Sequence, residues 1–78
     1  MDIREVVVTN KWQKVADGSE DVVIHIRGLV EICEMPNKPD IDAYVIKIEN
    51  QVVMITAPSI IWIRIPADSP ENVIVFIS

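Results

Sequence analysis

Seventy-eight residues hold one domain and no second core. At this size folding hides only about 60% of the surface that the unfolded chain exposes, yet half of the residues are hydrophobic. A net charge of −5 with scattered basic residues argues against a phosphate-tracking nucleic-acid binder. No apolar run reaches the length of a membrane span and the first residues do not read as a secretion signal, so the expectation is a cytosolic origin without membrane partners.

Ile and Val together make up a third of the chain, and Leu29 is the only leucine. Branching at Cβ restricts χ1 and suits a pleated surface, whereas helices favour Ala, Leu and unbranched side chains. No window carries apolar residues at three-and-four spacing over three turns. The expected fold class is therefore all-β.

In chain order, the first extended segment runs from Ile3 to Thr9, followed by a short apolar stretch from Trp12 to Val15. Asp17-Gly18-Ser19 is a turn, with Gly free to adopt positive φ and Asp and Ser able to bond the backbone nearby. From Asp21 to Arg27, Val22, Ile24 and Ile26 share one face and Val23, His25 and Arg27 the other. Gly28 marks a bulge or bend before the chain continues extended from Leu29 to Met35. Pro36 to Asp40 supports neither ladder nor helix and reads as a surface loop.

Tyr44 to Glu49 alternates, and Asn50-Gln51 reads as the turn of a hairpin into Val52 to Ala57. Ile60 to Ile65 and Val73 to Ile77 complete a set of about seven to eight short strands, which implies a small antiparallel sandwich or barrel, jelly-roll-like. These last two strands are apolar on both faces, where a strand with one solvated face should alternate. One face can pack on the domain's own core. The other is assigned to a subunit interface carried by Ile60, Trp62, Arg64, Val73 and Val75, with Pro58, Pro66 and Pro70 limiting edge-to-edge pairing.

Candidate chemistry is sparse. His25 is the only histidine, and on a mixed strand face it reads as a semi-exposed residue rather than a general base. Cys33 stands alone, which leaves no internal disulfide and no multi-cysteine zinc site. Asp17, Glu20 and Asp21 could offer oxygens to Ca²⁺ but do not match the twelve-residue calcium loop. Asp40 and Asp42, two apart at a strand start, could form an acid–base pair, although beside a Pro-rich loop they read as solubilising. No phosphate loop, nucleophile elbow or zinc-spaced His pair occurs. No catalytic residue, metal ligand or cofactor is assigned. Trp62 and Arg64 share a strand face with Ile60, and Trp and Arg are enriched at interface centres. A stacking surface of Trp12, Tyr44 and Trp62 for carbohydrate is the alternative.

The order of Trp12, Val15-Ala16-Asp17-Gly18, a strand ending at Gly28, Val30 to Cys33, a polar loop, Ile61-Trp62-Ile63-Arg64 and a terminal Val-Ile strand resembles small all-β virion proteins of tailed bacteriophages. These are short modules that decorate a capsid or sit at head, tail and fibre junctions. The resemblance implies a non-enzymatic structural protein of the virion, made in a bacterial cytoplasm. It further implies a homo-oligomer, commonly a trimer, whose partner is a capsid or other virion protein. It carries no site residues of defined chemistry.

Overall fold

The computed structural model describes residues 3–78. Among these described residues eight strands form: β1 (Arg4–Val8), β2 (Gln13–Asp17), β3 (Val22–Ile26), β4 (Leu29–Glu34), β5 (Ile46–Glu49), β6 (Val52–Ile55), β7 (Ile60–Arg64) and β8 (Val73–Ile77). They make two four-stranded antiparallel sheets, ordered β1-β8-β3-β6 and β2-β7-β4-β5. Every connection but one carries the chain from one sheet to the other. The exception joins β4 to β5 through residues 35–45. This is the strand order of a jelly roll. Among the described residues there is no helix, and hence none long and apolar enough to cross a membrane.

The core lies between the sheets. Val8, Ile24, Val30, Ile63 and Val75 are the most enclosed of its side chains, joined by Val15, Ala16, Ile26, Ile32, Ile55, Ile61, Ile65 and Ile77. Strand parity selects them: Ile24 and Ile26 of β3 point inward while His25 points out. A register shift between Lys14 and Ala16 bulges β2, which lets the consecutive residues Val15 and Ala16 both be buried.

Two features differ from the sequence expectation. Asn50-Gln51 does not close a hairpin, because β5 and β6 belong to different sheets. Gly28 likewise carries the chain from β3 in one sheet to β4 in the other. The two crossings are tied together: the Gly28 N–H donates to Asn50 Oδ1 at 2.7 Å, and the Asn50 N–H donates to the Gly28 carbonyl at 3.1 Å. Both residues have positive φ, 109° and 52°, which Gly adopts without cost and Asn tolerates better than most. A Cβ at Gly28 would also stand 3.0 Å from Val73 Cγ2.

The second difference concerns the two wholly apolar strands. β7 lies between β2 and β4, and β8 between β1 and β3. Both are central, so their backbone edges are already paired within the chain, which is where strands apolar on both faces are at home.

Candidate functional site

The outer face of the β2-β7-β4-β5 sheet holds the residues expected at an interface, Ile60, Trp62 and Arg64, and here the chain covers itself. Cross-strand partners share a face, and Arg64 is paired with Glu31. Arg64 Nε donates to Glu31 Oε1 at 2.8 Å, with the two side chains only 14% and 10% exposed. The Trp12 ring lies over the guanidinium, 4.2 Å from Arg64 Cζ to the ring centroid. Trp12 Nε1 in turn donates to the Asp40 carbonyl at 3.1 Å, which draws the 35–45 segment over this side of the sheet. Trp12 and Cys33 are buried, as is Pro39, yet neither Trp12 nor Cys33 belongs to the core between the sheets. They form a second, thin apolar layer outside it. Trp62 is half-buried beside Cys33, donates its indole N–H to the Met35 carbonyl at 3.0 Å, and has Lys14 Nζ 5.3 Å from its ring centroid. The face assigned to a subunit contact is thus sealed in large part by a cation stacked between an aromatic ring and a carboxylate.

The remaining two expected interface residues are corrected in the opposite sense. Val75 is fully enclosed in the core, and Val73 packs against the core. In a strand apolar on both faces, parity cannot say which face is inside. Pairing decides it: Val75 stands opposite Val6, and Val73 opposite the fully buried Val8. The outward residues of β8 are therefore Ile74 and Phe76, 44% and 39% exposed.

Ile74 and Phe76 lie at the centre of an open apolar face on the β1-β8-β3-β6 sheet. One row across the strands reads Glu5, Phe76, His25, Val52. On one side of it lie Val7 and Ile74, direct partners on β1 and β8. On the other lie Val23 and Met54, direct partners on β3 and β6, with Ile3 extending the β1 edge. Among the described residues, ten large hydrophobics are exposed, and six of them, Ile3, Val7, Val52, Met54, Ile74 and Phe76, belong to this face. The other four, Met35, Ile41, Tyr44 and Ile46, cluster in and beside the 35–45 segment. There a shallow cleft of about 380 Å³ is lined by residues that include Met35, Asp40, Asp42 and Tyr44.

The remaining candidates are placed apart from one another. His25 is exposed on the open face, and Cys33 is buried under the opposite sheet's outer layer. Asp17 Oδ1 accepts from the Ser19 hydroxyl at 2.6 Å and the Ser19 N–H at 3.0 Å. These two bonds, the hydroxyl's first, hold its carboxyl below the usual range. Asp21 Oδ1 accepts from the Ala57 N–H at 2.7 Å. One oxygen of Asp17 is thus engaged by Ser19 and one of Asp21 by the distant Ala57 backbone, and no group of three or more metal-ligating side chains converges among the described residues. Of the three aromatic residues that would stack on a sugar, Trp12 is covered and Trp62 half-covered, each with its indole N–H already bonded, so Tyr44, 94% exposed, is the one fully open ring. Comparison with protein-family models, with curated proteins and with solved structures finds no match.

Proposed function

We propose that the chain is a non-enzymatic structural module that assembles with copies of itself through the open face of the β1-β8-β3-β6 sheet. In this reading it serves in a tailed-phage virion as a capsid decoration or cement protein. The observation that carries the assembly reading is the concentration of six exposed large hydrophobics on one sheet face. A sheet with one solvated side ordinarily places polar residues there, and contiguous apolar patches on soluble proteins mark interaction sites. Support for the virion role is the order of sequence features together with the jelly-roll strand order, an architecture that viral capsid domains share with lectins and cupins. Architecture alone does not choose among those functions.

The test has two arms. By light scattering, the protein is expected to be oligomeric, and Ile74→Asp, which sets a charge on the open face while leaving the core untouched, is expected to lower the mass to 8.8 kDa with strand content unchanged by circular dichroism. In sedimentation with purified capsids, the protein is expected to pellet with the particles. A protein that stays in the supernatant at every concentration removes the virion role, and one that is monomeric throughout removes the assembly reading.

A further inference from the structure

The open face carries a charge arrangement that specifies how two copies would meet. Glu5 on β1 and His25 on β3 stand at the same level on either side of Phe76 on β8. Two strand spacings separate them, about 10 Å, with an aromatic ring between. Neither has an ion-pair or hydrogen-bond partner among the described residues. They are too far apart to pair within one chain.

Resting on the assembly reading above, we propose that the partner on this face is a second copy of the chain, related by a two-fold axis that runs parallel to β8, midway between the two sheets and above Phe76. Two sheets packed face to face keep their strands nearly aligned at about 10 Å separation. A two-fold axis along the strand direction exchanges the left and right neighbours of β8 and keeps each residue at its level. Phe76 then meets Phe76 and Ile74 meets Ile74. Glu5 of each copy comes to face His25 of the other, so the charge pair forms twice. Such a contact is isologous, one patch complementary to itself. Turning the axis to run across the strands would instead set Glu5 against Glu5 and His25 against His25, which like-charge repulsion disfavours. The unpaired charges flanking Phe76 thus select one of the two simple two-fold packings, and they explain why two polar residues interrupt a row that is otherwise apolar.

The His25 imidazole supplies the donor side of the pair. The groups around it are Arg27 two positions along β3, Phe76 from β8, and Val52 with Gln51 from β6. Among the described residues, the one carboxylate that comes to it is Glu5 of the second copy. Facing that carboxylate gives the imidazole N–H an acceptor that the separate chain does not offer it.

Sedimentation equilibrium on the full chain tests this with a charge-exchange cycle. Wild type is expected to populate twice the mass of 8.8 kDa. Glu5→Lys alone removes the acceptor and sets a cation against the imidazole, His25→Glu alone sets carboxylate against carboxylate, and each is expected to weaken the pair by roughly tenfold or more. Combined in one chain they restore opposite charges and are expected to return it to within about threefold of wild type. A trimer, or single and combined variants that differ only additively, overturns the two-fold arrangement while leaving assembly through this sheet standing. A monomer that persists at the highest concentration overturns both.

Discussion

Glu31 and Arg64 each sit within a run of apolar residues, Leu29 to Cys33 and Ile60 to Ile65. A charge inside such a run needs a partner, and two opposite charges in two apolar strands are candidates for each other. That signal was present in the sequence but distributed over 33 positions, and strand order was needed to join them. Removing one partner of a well-buried pair leaves the other charge stranded, so Glu31→Ala is expected to lower unfolding free energy by about 3 kcal/mol in urea titration. Lys14→Ala, which removes only an exposed cation from the Trp62 ring, is expected to cost under about 1 kcal/mol. The core side chain Ile63, fully enclosed, is expected to cost about 3–4 kcal/mol as Ile63→Ala. For a domain whose total stability is of order 5–10 kcal/mol, either large loss is easily measured. Asp17 makes stability depend on pH. Its lowered carboxyl contributes stability above the ordinary carboxylate range and loses it as the pH falls through the folded-state value. Asp17→Asn is therefore expected to flatten the acid limb of the stability profile slightly, the site being fully exposed.

At the scale of elements, the strands were legible because branched residues and turn signals alternate at short intervals. All eight lie within or close to the segments read from composition and parity. Connectivity between sheets was not legible. Gly28 was read as a bend and Asn50-Gln51 as a hairpin turn, yet both are crossings between sheets that bond to each other. Local residue types at a tight hairpin and at a corner are similar, and only the long-range partner distinguishes them. The orientation of β8 was hidden for a related reason: five consecutive apolar residues offer no polar side, so register with β1 had to set it. Gly28→Ala meets both a positive φ and a contact with Val73. It is expected to destabilise by about 1–3 kcal/mol, checked by thermal unfolding. Gly18→Ala should do no better, because its Cβ would stand 2.7 Å from the Pro58 carbonyl oxygen.

For the whole molecule, the excess of hydrophobic residues over what so small a core can hold is distributed over four places. Part fills the space between the sheets, part forms the thin layer of Trp12, Cys33 and Pro39 outside β2-β7-β4-β5, part is exposed in and beside the 35–45 segment, and part remains on the open face of β1-β8-β3-β6. The sequence showed that such an excess existed but put the open surface on the wrong set of side chains. Trp62 and Arg64 look like interface anchors, whereas on the outer face of their sheet stacking and ion pairing cover them within the chain, and Ile74 and Phe76 take the exposed place. Small-angle X-ray scattering from about 10 µM to about 500 µM tests whether that open face is covered by another copy. The expected result is a scattering mass that climbs toward twice 8.8 kDa and a radius of gyration that rises well above the single chain's 11.5 Å, both held at monomer values in Phe76→Asp. A wild-type curve that keeps the mass and dimensions of one chain across the whole range would contradict it.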